Sequence, residues 1–257
     1  MKKLKFKEPE DIRIGGRSLV NGISLKLVTK DGDNEIEFPG FTTVIENNGE
    51  YVITYEKDSL DKEKTSNFFD NVTNISIIAR RICLALSLIL FAFAIYMMVC
   101  RKDYNIFLSG AFFFYGVSKI TSSLACYVLR LMGNLDAISL QRYHAAEHSV
   151  INAYYDLRRL PKYEELRKYS FYSYDCGSTK YAALFVSYIL LSINHLFFGS
   201  PLGFLVDAGI FVLVFILDNM RLLYFVEYFM LLRPTSKEYK VAIEVMKNEL
   251  ERVKEIL

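Results

Sequence analysis

Tryptophan is absent from this chain, and proline, cysteine and histidine are scarce, with five, four and three residues among 257. If the protein enters a membrane, its interfacial aromatics must therefore come from 18 tyrosines and 20 phenylalanines. Charge of one sign is also lacking. A net charge of +2, with no Lys and Arg stripe interleaved with aromatics, gives nucleic acid nothing to bind and excludes it as a partner. Cys83, Cys100 and Cys126 fall in or beside apolar runs and Cys176 in a polar segment, so no disulfide framework is expected and the thiols read as reduced. Met1 to Asp11 mix Lys with Glu and lack an apolar core, so no cleavable signal peptide is expected. Gly15, Gly16 and Gly22 match neither a dinucleotide loop nor a P-loop; their spacing reads as tight backbone turns.

What the chain does contain is apolar sequence, at 52% hydrophobic residues and a mean hydropathy of +0.19. Ile82 to Cys100 carries no charge and is long enough to cross a hydrocarbon core of about 30 Å as a helix. Further apolar runs follow at about Asn105 to Cys126, Tyr181 to Phe198 and Leu202 to Leu217, the last with a helix expected to continue toward Leu232. Before them, short β-patterned runs between Ile12 and Tyr55, punctuated by turn signals such as Asn47-Asn48-Gly49, predict a small sheet. Behind them, Tyr239, Ile243, Met246, Leu250, Val253 and Leu257 form one apolar stripe on a helix opened by Thr235 or Ser236 with Glu238 nearby. That stripe is expected to pack on the protein's own polar part.

The fold class expected is an α-helical integral membrane protein with four transmembrane helices, a small N-terminal β-sheet, a cytosolic helix carrying H-x-x-E-H and an amphipathic C-terminal helix. By residue, 1–66 is a cytosolic β-rich region, 67–132 a transmembrane hairpin, 133–180 the cytosolic motif helix and a Cys-containing loop, 181–232 a second hairpin and 233–257 the cytosolic tail. The excess of Lys and Arg in the loop from Arg130 to Lys180 and before Ile82 places both termini in the cytoplasm of a multi-pass protein of the cell (inner) membrane. The lipid bilayer is then the first partner. An unpaired Asp207 at mid-bilayer would cost roughly 2.5 to 3.5 kcal/mol, and Lys119 is the expected counter-charge.

The segment that carries chemistry is Tyr143-His144-Ala145-Ala146-Glu147-His148, on a helix expected from about Asn134 to Leu157. His144 and His148, one turn apart, project from the same face, and Glu147 lies beside them. In this H-x-x-E-H order, two neutral imidazoles suit a zinc-like divalent ion and the carboxylate can take a proton from water without being used up as a ligand. A hydrogen-bonded histidine pair is the alternative. His195 belongs to a later span.

Three blocks in order resemble the YqhQ-like family of bacterial multi-pass membrane proteins, an uncharacterised group of predicted metal-dependent enzymes. They are Gly15-Gly16-Arg17-Ser18-Leu19-Val20-Asn21-Gly22-Ile23, Tyr143 to Ser149, and Cys176-Gly177-Ser178-Thr179. Asn21 stands where the family pattern has a glutamate, and Tyr174 and Asp175 where it often has histidine and arginine. Two histidines do not complete a metal site. Cys176, the one cysteine outside the apolar runs, is the first choice for a third ligand, and Glu227 the second by analogy with soluble enzymes that share the motif. The expected function is a metal-dependent hydrolase, with His144, His148 and Cys176 on the ion and Glu147 as the catalytic base. The alternative is a non-catalytic factor or adaptor in membrane-protein insertion or secretion, with a membrane-protein complex as partner and a structural metal or polar site.

Overall fold

The computed structural model describes residues 12–31, 34–37, 40–56, 67–100, 102–173, 176–197, 203–219, 227 and 231–256. The expected run of the last apolar helix toward Leu232 lies outside them from 220 to 230, Glu227 apart. Five strands are described: β1 (Ile12–Leu19), β2 (Gly22–Asp31), β3 (Asn34–Glu37), β4 (Phe41–Asn47) and β5 (Glu50–Glu56). The helices are α1 (Asn67–Val99), α2 (Asn105–Leu131), α3 (Leu135–Leu157), the single turn α4 (Tyr163–Leu166), α5 (Gly177–Phe197), α6 (Gly203–Asn219) and α7 (Ser236–Ile256). The protein is thus mostly helical with one small antiparallel sheet. Two compact units divide these elements: the sheet with α3, α4 and α7, and the bulk of the apolar helices α1, α2, α5 and α6.

In the first unit the strands pair in the order β1-β2-β4-β5, with β3 on the far part of β2. Asn48 and Gly49 both have positive φ, 52° and 90°, which the two-residue turn of the β4–β5 hairpin demands. Alternation along β2 sends Ile23, Leu25 and Leu27 to one face, where they meet Val44 of β4 and are 2% exposed or less. Against that face lie α3, through Tyr143, Val150 and Ala153, and α7, through Val241, Ala242, Val245 and Met246. Each large apolar side chain buried this completely contributes about 1.5–3 kcal/mol.

The boundaries of α3 follow from its caps. Gly133, at φ 78°, turns the chain out of α2, and Asn134 accepts the Ala137 N–H at 3.0 Å as the N-cap. Arg158 ends the helix in the left-handed region at φ 55°. Thr235 caps α7 by accepting the Lys237 N–H, while Glu238 reaches back to the Thr235 N–H at 2.7 Å. The apolar stripe of α7 does pack on the protein's own core, but its buried face is broader than the stripe. Tyr239, Met246 and Val253 are buried as expected, and the face turns to include Ala242, Val245 and Glu249 because the helix touches both the sheet and α3.

Tyr143 is fully buried in this core, and its hydroxyl has no hydrogen-bond partner among the described residues. Burial, reinforced by the charges of Glu46 and Glu238, pushes its phenol well above the ordinary tyrosine value. A desolvated hydroxyl without a partner is a standing cost. Tyr143→Phe should therefore stabilise the purified chain by about 1 kcal/mol in thermal unfolding. A loss of stability would show that the hydroxyl is satisfied.

In the second unit, the Ser76–Val99 stretch of α1 is long and apolar enough to cross a membrane, and little of it is buried within the protein. α2 supplies a second such helix only if its limbs Asn105–Thr121 and Ser123–Leu131, bent against each other, form one span. The apolar parts of α5 and α6 are shorter within the described residues. Small and hydroxylated residues let these helices approach. Ser87 donates to the Ala111 carbonyl at 2.9 Å, Ser109 to the Ser192 carbonyl at 2.8 Å, and a Cβ on Gly116 would fall 2.9 Å from that of Tyr188. Outward they present large apolar side chains such as Leu88, Tyr96, Leu205 and Phe215, each more than 60% exposed.

The expected pairing of Asp207 with Lys119 is not what forms. Asp207 accepts from Asn194 Nδ2 at 2.9 Å and lies 3.0 Å from His195 Nε2, both on α5, while Lys119 sits 4.1 Å over the ring of Tyr115. Neighbours on the adjoining helix satisfy the carboxylate with neutral or weakly basic donors, so it needs no lysine. Tyr115 meanwhile gives the ammonium an aromatic face.

Candidate metal centre

α3 brings the two motif histidines together. Their ring centroids are 4.5 Å apart with the planes at 65°, which is what a four-residue spacing produces on one helical face. His148 is 4% exposed, and its Nδ1 lies 3.0 Å from the Phe171 carbonyl oxygen. A carbonyl can only accept, so Nδ1 carries the proton and Nε2 is the ring nitrogen that could ligate a metal. Cys176 is a half-buried thiol, and one donor atom from each of His144, His148 and Cys176 lies within 4.8 Å of the others. Nitrogen and sulfur ligands of a tetrahedral zinc lie roughly 3.5 Å apart, so the three side chains need only close in slightly. Two imidazoles and a thiol favour a borderline ion such as zinc over the oxygen-seeking magnesium or calcium. The group can hold a metal ion. Glu227, the other expected third ligand, is 1% exposed and stands outside this group, and His195 is engaged by Asp207.

Glu147 does not simply line the helix beside the histidines. It is 4% exposed, and its Oε2 accepts from Ser18 Oγ of β1 at 2.5 Å. Its Oε1 lies where a side chain on Gly16 would begin, since a Cβ there would come within 2.1 Å of it. This corrects the reading of the early glycines as turns. Gly16 sits inside β1, and its missing side chain makes room for the motif carboxylate. Gly22 does likewise for a neighbouring strand, as a Cβ there would fall 2.3 Å from the Val44 carbonyl oxygen. The glycine-rich strand and the H-x-x-E-H helix are therefore two sides of one contact.

Motif reasoning alone passed over Ser18, Gly16 and Asn152. Gly16 and Ser18 lie in the first of the family-like blocks, and Asn152 continues the four-residue repeat of His144 and His148.

The match found for this chain is to a family described as protein of unknown function (DUF1385), over residues 43–218, more than half of its length. That span takes in His144, Glu147, His148 and Cys176 and begins after the glycine-rich strand. No curated protein and no solved structure matches the chain.

Proposed function

The chain belongs to the family of unknown function DUF1385, and from there we propose that it is a metal-dependent hydrolase of the YqhQ-like kind. In this reading four spans embed it in the cell membrane, and both termini and the metal centre face the cytoplasm. One observation carries the reading: His144, His148 and Cys176 present three donor atoms within 4.8 Å, two nitrogens and a sulfur. The exposed apolar surface of α1, α2, α5 and α6 supports the membrane part, and the Lys and Arg asymmetry supports the orientation.

A zinc-like ion on these three ligands would supply Lewis acidity toward water and a carbonyl or phosphoryl oxygen. The chain's own contribution is placement. His148 is fixed in one tautomer by Phe171, and Glu147 is held by Ser18 as the carboxylate that takes up a proton beside the ligand helix. The same burial of Glu147 against β1 favours a second reading, a non-catalytic membrane factor in which the site ties α3 to neighbouring chain and a protein ligand fills the last coordination position.

Metal analysis and cobalt substitution separate the two readings. The purified full-length protein should bind one equivalent of cobalt, His148→Ala should bind none, and Glu147→Gln should retain it. Adding azide should shift the cobalt spectrum if a position is open to solvent, as hydrolysis requires. An unmoved spectrum would favour the structural reading, and a wild-type protein that takes up no metal would sink the hydrolase and leave the adaptor with a polar site.

A further inference from the structure

The face of α3 that carries the two histidines continues for two more turns as Asn152 and Asp156, so that one row reads His144, His148, Asn152, Asp156. The chain from Tyr169 to Tyr172 runs back along this row, and each member below His144 holds part of it. Tyr169, 6% exposed, donates its hydroxyl to Asp156 Oδ2 at 2.8 Å; burial, and then that carboxylate, push its phenol up to about 12. Asn152, 7% exposed, donates from Nδ2 to two carbonyls, Ser170 at 3.0 Å and Tyr172 at 3.1 Å. His148 takes the carbonyl between them, Phe171, at 3.0 Å. Three successive carbonyls thus point at two side chains one helical turn apart. Ser170 Oγ accepts the Tyr172 N–H at 3.1 Å and stiffens the same stretch. A chain pinned at Tyr169, Ser170, Phe171 and Tyr172 has only four more residues to Cys176, so its register on α3 determines where the thiol falls.

We propose that Asn152 is a positioning residue of the metal centre, which brings the Cys176 thiol to His144 and His148 by fixing the register of residues 169–173 along α3. The inference rests on the metal reading above and adds to it a residue that is not one of the three ligands. An amide is required because it alone offers two hydrogens on one nitrogen at neutral charge. An aspartate of the same shape would set a second acceptor against two carbonyls.

The test is a cobalt titration of the apo full-length protein, comparing wild type, Asn152→Asp, Asn152→Ala and Cys176→Ser. The wild type should show thiolate-to-cobalt charge transfer along with its visible bands. Both Asn152 variants should bind cobalt about 10–100-fold more weakly. At saturating cobalt they should lose most of the thiolate band and resemble Cys176→Ser. A variant that was merely less stable would keep the thiolate band once saturated, and that result overturns the proposal. So does unchanged affinity with the full band in either variant. If Asn152→Asp does not fold, Asn152→Ala, which removes the donors without adding a charge, decides by the same two readings. A wild type without a thiolate band would instead remove the three-ligand site itself, a failure told apart by its appearance before any substitution.

Discussion

Glu249→Ala should destabilise the sheet-bearing unit by about 3–5 kcal/mol, a fifth or more of an ordinary domain's stability of about 5–15 kcal/mol. Glu249 lies on α7 with no exposed surface, yet it is a carboxylate. Its oxygens gather four donors: the Leu27 N–H at 2.7 Å, the Thr42 hydroxyl at 2.5 Å, and Arg252 Nε and Nη2 at 2.9 and 2.8 Å. The Leu27 N–H has a structural reason to look outward. β2 pairs with β4 over Gly22 to Leu25 and with β3 over Val28 to Asp31, and residues 26 and 27 fall in the gap. Glu249 fills the missing place in the ladder from a different element. Alanine would leave a buried amide, a buried hydroxyl and a guanidinium, all without that carboxylate, and buried groups in this state cost more than the bonds gained in making them. Glu249→Gln keeps the shape and one acceptor but gives up the charge, so it should fall between alanine and wild type. Denaturant unfolding of the purified chain, followed by circular dichroism, measures both. A loss for Glu249→Ala under about 1 kcal/mol would mean the cluster is solvated and the argument wrong.

Glu249 also shows which features of the fold could be read from the sequence. Its neighbour at three residues is Arg252, and two opposite charges at that spacing look like a pair on a solvated face. Only the arrival of β2 and β4, more than 200 residues earlier, makes the pair interior. Local signals fared better because their physics is local. The Asn134 cap, the Thr235 and Glu238 cap and the positive-φ turn at Asn48 and Gly49 each depend on a few consecutive residues, and each appears where the chain predicts it. The helical row of His144 and His148 was legible for the same reason, and with it the candidate ligand Cys176, placed by its polar setting among apolar runs. Charge alone misled in the apolar unit, where Asp207 turned to Asn194 and His195 on the next helix and not to Lys119.

Gly16→Ala and Gly15→Ala should move in opposite directions, although the two glycines are adjacent in one strand. A Cβ on Gly15 meets nothing within 4 Å, and neither glycine has positive φ. There the added methyl only restricts the unfolded chain, so Gly15→Ala should be neutral or stabilising by up to about 1 kcal/mol. At Gly16 the same methyl would come 2.1 Å from Glu147 Oε1, 2.6 Å from Cδ and 3.0 Å from Cγ. Glutamate is flexible in water, but here it is buried and bonded to Ser18, so it can retreat only by giving up that hydrogen bond or by pushing α3 off the sheet. Overpacking of this kind costs about 1–3 kcal/mol. The consequence reaches the metal centre in a way that depends on what Glu147 does. If α3 shifts as a body, cobalt affinity falls with stability, because His148 is the next residue along the helix. If only the carboxylate swings away, Gly16→Ala should bind cobalt as the wild type does, and its azide response should match that of Glu147→Gln. Melting temperatures for the two alanine variants, set beside cobalt titrations of each, distinguish these outcomes. Equal stability at both positions would show that Gly16 is not the space Glu147 needs, and would separate the glycine-rich strand from the H-x-x-E-H helix.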